Sequence, residues 1–351
     1  MTARPLLASA LALPALAYEC IVRLRNEFYD QGLLQVHALP RPVISVGNIT
    51  VGGTGKTPMV IHLARLLAQW GFDPVLLSRG YNRRIARASL VVAPRQTPPP
   101  SAEAIGDEPA LIRLRNPSIW LGISKDRTRA ARQVIPLAAK AVFLLDDGFQ
   151  HRRLGRDLDI VLVDASQPFR SNRPVPWGTL REPLSSLKRA QLVVCPGMPG
   201  AEDASTVEAE ISRIHPGAAV FHCSQEIDRV VSFDDWPGAE AQDVTPGIRG
   251  ALLVAAIANP GRFHRDAVAR GIPVCGRRWY RDHHWFSSAD WRRCAEAARR
   301  AGADVLLITE KDAARMAVPP EFPVAIAVQR TTILEAGAFE QRIRGVCEQA
   351  R

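Results

Sequence analysis

Apolar residues in the first two thirds of the chain alternate between short β-branched runs and longer runs with helical spacing. Residues 42–46 form the first short run, and Val60, Leu63 and Leu67 then recur at the spacing of a helix. Further short apolar runs lie at residues 74–78, 118–123, 141–145, 158–163 and 191–195. Such alternation of strands and helices predicts an α/β fold with a parallel sheet.

The pattern pauses after residue 195 and resumes as a second, smaller α/β unit. Its predicted strands are residues 251–257, 274–279, 305–309 and 324–328, and its predicted helices are residues 263–270 and 289–300. Residues 218–224 and 230–233 between the two halves predict an extended connection or a hairpin. A length of 351 residues also exceeds a typical single core. We therefore divide the chain into an N-terminal helix at 1–30, a larger domain at 36–222 and a smaller one at 223–351.

Three glycines separate the first predicted strand from the first predicted helix. Gly52 and Gly53 come first, and Gly55 directly precedes Lys56 and Thr57. Because glycine lacks a Cβ atom, successive backbone N–H groups can turn inward around an anion, beside the positive end of the helix. This order predicts a phosphate-binding loop. Lys56 would reach the β- and γ-phosphates of ATP, and the Thr57 hydroxyl would bind Mg²⁺.

The loop departs from the common G-x-x-x-x-G-K-[ST] pattern at one position, where Thr50 replaces the first glycine. The remainder of the loop is intact, with Thr54 between the second and third glycines. We therefore predict that residues 52–57 bind the nucleotide. The alternative is a tight turn that binds nothing, and it leaves Lys56 without an explanation.

The apolar run at residues 141–145 ends in Asp146 and Asp147, about ninety residues after the glycine-rich loop. Two adjacent carboxylates at a strand end repel each other unless a cation lies nearby. The pattern therefore predicts a Walker B element that holds Mg²⁺ directly or through water. A turn with two solvated aspartates is the alternative. The sequence does not decide which aspartate faces the metal.

The formal charge of +10 points to an anionic partner. Phosphate, an acidic membrane surface and nucleic acid would all satisfy it. Arg79, Arg83 and Arg84 follow a predicted strand, at the edge where open α/β sheets bind ligands, although a solvated loop explains them equally well. Because no recognised nucleic-acid motif accompanies these arginines, we predict no nucleic-acid partner.

Residues 5–18 are uncharged and rich in leucine and alanine, and Arg23 and Arg25 follow them. The run is shorter than the roughly 20 residues that span a bilayer. We predict a helix that lies at the membrane interface, with its arginines facing anionic headgroups. A helix packed on the protein body and a signal peptide cleaved near residue 17 are the alternatives. Six cysteines without a C-x-x-C pair argue against a zinc site and a disulfide framework, and they fit a reducing cytosol.

Together these segments resemble the tetraacyldisaccharide 4′-kinases, the lipid A 4′-kinases of Gram-negative bacteria. The resemblance covers nearly the whole chain and rests on seven motifs in the family's order, at residues 46–58, 78–81, 106–109, 146–151, 181–183, 282–284 and 309–312. It implies two Rossmann-like α/β/α domains, the first of P-loop NTPase type. It also implies that Thr50 is a property of the family's loop and not a defect.

The activity that the resemblance implies is transfer of the ATP γ-phosphate to the 4′-hydroxyl of an acylated glucosamine disaccharide 1-phosphate. This acceptor is acidic and membrane-bound, which would account for the arginine excess and the apolar N-terminus together. The implied location is the cytoplasmic face of the inner membrane. We infer no obligate protein partner.

The family motifs also suggest residue roles. Asp107 in Gly-Asp-Glu-Pro matches the family's base, and His283 would hold and tune it, with His284 as the fallback. The alternative for Asp107 is the N-cap of a helix that begins near Pro109. We expect the metal to be held by Thr57, Asp146, Asp147 and Gln150, and the substrate to be bound by Arg79, His151, Arg181 and Glu182.

Three loops depart from the family pattern, at Asn82, at residues 176–180 and at residues 257–260. A different function class, a nucleotide-driven switch of the deviant Walker A type, would carry a lysine where this chain has Val51. The kinase hypothesis is therefore favoured. Because the motif at 282–284 lies far from the loop in sequence, we expect the domains to close over nucleotide and sugar together.

Overall fold

The computed structural model describes residues 3–85, 89–163, 173–197, 202–238, 240–316 and 319–349. Its helices are α1 (Ala3–Asp30), α2 (Lys56–Gln69), α3 (Ala102–Ile105), α4 (Asp107–Arg115), α5 (Arg127–Val134), α6 (Glu202–Ile214), α7 (Pro260–Ala269), α8 (Ser288–Ala301), α9 (Glu310–Ala313) and α10 (Ala336–Gln349). Its strands are β1 (Val43–Gly47), β2 (Asp73–Ser78), β3 (Ser89–Val92), β4 (Trp120–Ser124), β5 (Ala141–Asp146), β6 (Leu158–Leu162), β7 (Leu192–Pro196), β8 (Ala219–Ser232), β9 (Ala251–Ala255), β10 (Val274–Trp279), β11 (Val305–Thr309) and β12 (Val324–Ile333). The predicted α/β class is confirmed in this coarse form.

The chain folds into two compact units, and each is discontinuous in sequence. The first unit contains Met1–Leu77, Asp126–Ser224 and Thr332–Arg351, and the second contains Ser78–Lys125 and Gln225–Thr331. The predicted change of domain after residue 222 lies close to the passage of the chain between units inside β8. Residues 78–125, however, group with residues 225–331, and α4 packs against α9 there. The continuous domain bounds stay a prediction.

The first unit is built on parallel strands in the order β2, β5, β1, β6, β7, β8. β1 is entirely buried, with β5 on one side and β6 on the other. Val46 at the end of β1 pairs in register with Asp146 at the end of β5. The residues that follow these two strands therefore emerge at the same edge of the sheet, which is where open α/β sheets bind ligands.

The second unit contains the parallel strands β10, β9, β11 and β12 and the antiparallel pair β3 and β4. The helices predicted at 263–270 and 289–300 are observed as α7 and α8. The region predicted as an extended connection or hairpin is one continuous strand, β8. Its middle residues, from Gln225 to Arg229, are mostly polar and partly exposed, so the hydrophobic pattern shows two short runs where the backbone forms a single strand.

Helix α1 is amphipathic along its described side chains. Ala15, Val22 and Asn26 are buried on one face, whereas Leu13, Leu16 and Leu24 are exposed by 77%, 52% and 55% on the other. The predicted helix at 1–30 is observed from Ala3 onward. Its apolar first part continues into a charged second half, which packs on the rest of the first unit. Among the described residues, no helix is both long enough and apolar enough to span a membrane.

A buried histidine links three elements of the first unit. His222 on β8 places Nδ1 2.7 Å from Glu335, just before α10, and Nε2 2.7 Å from Glu208 on α6. Each nitrogen faces a carboxylate, so both must carry protons. Burial alone would lower the pKa of His222, but the hydrogen bonds to Glu335 and Glu208 outweigh that effect and raise the pKa above its ordinary value. The imidazolium therefore joins the two helices to the sheet.

We expect the free energy of unfolding to decrease with rising pH in the wild type and to change less in His222→Gln. The contribution of the imidazolium is complete below the ordinary histidine pKa of about 6.5 and is lost as pH rises through the raised pKa of the folded state. The difference should be about 1 kcal/mol, because solvent screens carboxylates that are as exposed as these. The Glu208 and Glu335 side chains are 35% and 36% exposed.

Denaturant unfolding at several pH values between slightly acidic and alkaline measures this dependence. His215→Gln is the matched control, since His215 Nε2 faces a backbone oxygen, Ala190 O, and not a carboxylate. Parallel pH dependences for the wild type and His222→Gln would contradict the prediction.

Candidate active site

The glycine-rich loop leads directly into α2. Gly55 is the N-cap of this helix with φ 84°, a left-handed conformation that favours glycine, and Lys56 and Thr57 begin the first turn. The loop is also tied to the segment before Arg181, because Val51 N donates to Thr179 O at 2.7 Å. Thr54 is buried, and its hydroxyl makes no hydrogen bond with any described residue. The predicted loop residues 52–57 thus lie at the sheet edge, with backbone donors and a lysine at a helix N-terminus.

A close approach of two chain segments joins the loop to the predicted Walker B element. At Gly47, the last residue of β1, an added Cβ atom would lie 2.8 Å from the backbone nitrogen of Phe149 and 2.5 Å from its Cβ atom. Only glycine fits such a contact without a shift of the backbone. The turn that follows β5 can therefore pack directly on the start of the glycine-rich segment.

Asp147 is held by two cations in the first unit. Its carboxylate lies 3.6 Å from Lys56 Nζ and accepts two hydrogen bonds from the Arg181 guanidinium at 3.0 and 2.8 Å. Burial alone would raise the pKa of Asp147, but Lys56 and Arg181 outweigh it and lower the pKa to about 2. Asp147 also has φ 49°, which is uncommon for a residue with a side chain. The structure therefore places a negative charge beside Lys56 at the start of α2.

Gln150, predicted as a metal ligand, is engaged with Arg181. Its Oε1 accepts from Arg181 Nε at 2.9 Å, and its Nε2 donates to Arg181 O at 2.9 Å. The predicted substrate ligand Glu182 is 1% exposed, and Arg25 and Asn26 of α1 both donate to it at 2.7 Å. In this conformation the Gln150 side chain therefore binds Arg181, and the Glu182 side chain binds helix α1. A direct metal contact of Gln150 and a direct substrate contact of Glu182 stay predictions that the geometry does not favour.

The other predicted ligands of the first unit differ in accessibility. Asp146 is buried at the end of β5, where Arg127 donates to its backbone oxygen at 2.9 Å. His151 is half-buried in the turn after β5. Within the described ranges, no group of three or more His, Cys, Asp and Glu side chains is arranged to hold a metal ion. Mg²⁺ sites that complete their coordination with substrate phosphates require only one or two carboxylates, so Asp146 and Thr57 fit such a site.

The predicted dyad forms in the second unit. Asp107 is the first residue of α4 and is not its N-cap, which is Gly106. Asp107 Oδ2 lies 2.7 Å from His283 Nδ1, 3.3 Å from Arg315 and 3.9 Å from Lys311. Burial alone would raise the pKa of Asp107, but the hydrogen bond with His283 and the charges of Lys311 and Arg315 lower it below the ordinary value. The carboxylate is therefore ionised at neutral pH, although it is only 1% exposed.

His283 lies between two carboxylates and an ammonium group. Its Nδ1 faces Asp107, and its Nε2 lies 3.4 Å from Lys311 Nζ and 3.7 Å from Asp282 Oδ2. His283 has φ 60°, a second left-handed residue at a predicted site position. The fallback His284 instead places Nε2 3.1 Å from Asp290 at the start of α8. Of the two histidines, His283 is therefore the one that pairs with Asp107.

Lys311, Arg315 and Asp282 surround the pair without a role predicted from the sequence, although Lys311 and Asp282 lie in family motifs. Lys311 Nζ lies 3.2 Å from a carboxylate oxygen of Glu108 and 3.9 Å from one of Asp107 and one of Asp282. Burial alone would lower the pKa of Lys311, but Glu108, Asp107 and Asp282 raise it. The signal available in the sequence was the position of Lys311 just after a predicted strand end. The predicted substrate ligand Arg79 lies at the corresponding end of β2, belongs to this unit and is exposed.

Comparison with known proteins places these motifs in a family. The family model described as Tetraacyldisaccharide-1-P 4'-kinase matches residues 7–348. The chain is 39% identical over 313 residues to the tetraacyldisaccharide 4'-kinase of Geobacter metallireducens, which covers 89% of each protein. It is 38% identical over 314 residues to the enzyme of that name from Geobacter sulfurreducens, which covers 89% of this chain and 85% of the relative.

A solved structure of similar fold covers the chain almost completely. It is the crystal structure of an "apo" form LpxK from Aquifex aeolicus in complex with ATP, with a TM-score of 0.76 and 29% identity, and the match covers 97% of this chain and 99% of that one. The resemblance that the sequence motifs indicated is thereby confirmed. The chain belongs to the tetraacyldisaccharide-1-P 4'-kinase family.

Proposed function

We propose that the protein is an ATP-dependent kinase that transfers the γ-phosphate to the 4′-hydroxyl of tetraacyldisaccharide 1-phosphate in lipid A biosynthesis. The observation that carries the proposal is the Lys56–Asp147–Arg181 group at the mouth of a glycine-rich loop, in a chain that matches the family over residues 7–348. The loop provides backbone donors for the nucleotide phosphates, and Lys56 provides a positive charge where charge develops during transfer.

Mg²⁺ is part of this proposal, and Thr57 and Asp146 are the residues that would hold it with the nucleotide. When bound, the ion neutralises charge on the transferring phosphates. Asp147 is proposed to act differently, since Lys56 and Arg181 already neutralise it. It holds Lys56 near the loop before the phosphates arrive. Of the two adjacent aspartates, Asp146 is therefore our choice for the metal ligand.

The proton of the attacking hydroxyl is proposed to pass to the Asp107–His283 pair. A sugar hydroxyl is a poor nucleophile at neutral pH, and a positioned acceptor assists it as the new bond forms. The sequence analysis assigned the base role to Asp107. Because the Asp107 side chain is 1% exposed and that of His283 is 20% exposed, we propose that the proton enters the pair at His283. Asp107 then holds the ring and stabilises its protonated form.

The acceptor lipid is proposed to approach the first unit beside α1. A cavity of about 430 Å³ there is lined by apolar residues, by four arginines and by the carboxylates of Glu19 and Glu182, which pair with Arg23 and Arg25. The four arginines, which suit an acidic molecule beside apolar surface, are Arg23, Arg173, Arg181 and Arg213. The exposed apolar face of α1 supports attachment at a membrane surface. The cytoplasmic face of the inner membrane is the location where this acceptor and ATP are both available to a kinase of this family.

Incubation with γ-labelled ATP and acylated disaccharide 1-phosphate, or with no acceptor, tests the function. The expected result is label in the lipid, with little ATP hydrolysis when the acceptor is absent. Hydrolysis that is equally fast with and without acceptor, and no labelled lipid, would instead favour a nucleotide-driven switch.

We expect Lys56→Ala to lower kcat by about two to three orders of magnitude, because it removes a charge that stabilises the transition state. The fold should persist, since the change leaves Asp147 paired with Arg181. Lipid phosphorylation and thermal unfolding measure the two effects. Lys140→Ala, an exposed lysine of the same unit, is the control. Turnover of folded Lys56→Ala at the rate of the control would refute the assigned role.

We expect Thr57→Val to raise the Mg²⁺ concentration required for half-maximal ATP binding by about tenfold or more. The reason is that valine keeps the shape of threonine but lacks the hydroxyl that would face the ion. Titration of Mg²⁺ into the protein with a fluorescent ATP analogue measures the effect without turnover. Thr57→Ser restores the hydroxyl and should remain close to wild type. The metal assignment fails if Thr57→Val and Thr57→Ser require the same concentration.

We expect His283→Ala and Asp107→Asn each to lower kcat by about two orders of magnitude or more. The double variant should fall little below the slower single variant, because residues that act as one unit are not additive. Steady-state kinetics at saturating substrates provide the values, and His284→Ala is the neighbouring control. Near-normal kcat in both single variants would leave Asp107 with a purely structural role at the start of α4.

A further inference from the structure

Helix α1 makes polar contacts with the two residues that follow Leu180. The Tyr18 hydroxyl donates to Arg181 O at 3.0 Å, and Arg25 and Asn26 donate to the two oxygens of Glu182 at 2.7 Å. All five residues belong to the first unit. The helix is thus bonded to a short segment of the site and not only packed on apolar residues.

Arg181 is also bonded to the phosphate-binding elements by both its backbone and its side chain. Its backbone N–H donates to Ile49 O at 2.8 Å, immediately before the glycine-rich loop. Its guanidinium makes the two hydrogen bonds to Asp147, which lies 3.6 Å from Lys56 Nζ. A displacement of Arg181 would therefore move one end of the loop and release the carboxylate that faces the lysine.

The burial of Glu182 links the helix and this segment energetically. The Glu182 side chain is fully buried, and Arg25 and Asn26 of α1 provide its two shortest hydrogen bonds, both at 2.7 Å. Ser186 and Arg189 bind the same carboxylate at 2.9 and 3.4 Å, so loss of α1 would remove part of its partners. A buried carboxylate that loses such partners is strongly destabilised. Separation of α1 from the first unit is consequently coupled to rearrangement of residues 181 and 182.

The two faces of α1 allow this coupling and membrane attachment to coexist. Tyr18 and Asn26 point to the protein body, whereas Leu13, Leu16 and Leu24 lie on the exposed face. A lipid surface that covers the exposed face leaves the inner contacts intact.

We propose that α1 positions the phosphate site, and that Tyr18 is a positioning residue that acts on turnover through Arg181. The inference rests on the proposed kinase function and deepens it. The helix does more than attach the enzyme to lipid, because its docking on the first unit fixes Arg181 against Ile49 and Asp147. Turnover therefore depends on the inner face of α1 even when the acceptor is dispersed in detergent and no membrane is present.

The matched pair Tyr18→Phe and Tyr29→Phe tests the proposal. Both changes remove one hydroxyl from the same helix, but the Tyr29 hydroxyl makes no hydrogen bond with a residue that the structure describes. With detergent-dispersed acceptor, Tyr18→Phe should lower kcat by about three- to tenfold, the effect of one lost hydrogen bond. The KM for the acceptor should change less than kcat. Tyr29→Phe should stay within about twofold of the wild type.

A second pair keeps the test independent of Tyr18. Asn26→Ala removes a donor to Glu182, whereas Glu27→Gln changes the next residue, whose partner Gln31 directly follows the helix. Asn26→Ala should lower kcat at least as much as Tyr18→Phe, and Glu27→Gln should not. Flotation with vesicles of anionic phospholipid should show equal membrane binding for all four variants.

Two outcomes would overturn the inference while leaving the kinase function in place. In the first, wild type phosphorylates the lipid and Tyr18→Phe and Asn26→Ala match their controls in kcat. In the second, these variants lose vesicle binding but keep wild-type kcat on dispersed acceptor, so that α1 is an anchor only. Absence of lipid phosphorylation by the wild type is a different result, and it refutes the proposed function itself.

Discussion

The ion pair between Arg181 and Asp147 is the interaction on which the arrangement of the first unit's site depends. Two N–H groups of one guanidinium bind two oxygens of one carboxylate, so both the position and the orientation of the aspartate are fixed. Gln150 orients the guanidinium from its other edge. Lys56 then approaches a charge that is already held in place. The glycine-rich loop, the turn after β5 and the segment from Pro174 to Glu182 meet at this pair.

The second unit also pairs carboxylates with cations, but there the carboxylates outnumber the cations. Asp107 and its neighbours Glu108 and Asp282 bring carboxylates together, and Lys311 and the buried Arg315 compensate them. Such a network costs much to bury unless each charge has partners. His283 lies within this network, with Nδ1 2.7 Å from Asp107 and Nε2 3.4 Å from Lys311.

Local patterns in the sequence predict the strands and the helix that flank the candidate site. The strand before Gly52, the helix after Lys56 and the strand that ends at Asp146 each depend on neighbours in sequence, and all three are observed. The grouping of residues 78–125 with residues 225–331 depends on packing between distant segments, which hydrophobic periodicity does not encode. The contacts of Gln150 with Arg181 and of Glu182 with α1 also depend on packing between distant segments. From the sequence alone, a polar residue beside a motif cannot be identified as a ligand contact or as a partner of another side chain of the protein.

Asp147 and His283 share a backbone feature that bears on the cost of the site. Each is a residue with a side chain at positive φ, a conformation that costs of order 1 kcal/mol or more and persists only where the surroundings enforce it. Glycine would adopt the same backbone without that cost, but it would remove the carboxylate or the imidazole. At both positions glycine therefore suits the backbone best, but it has no side chain that could take part in a reaction. A search for stabilising substitutions guided by backbone geometry alone would replace two residues whose side chains have roles in the proposed reaction.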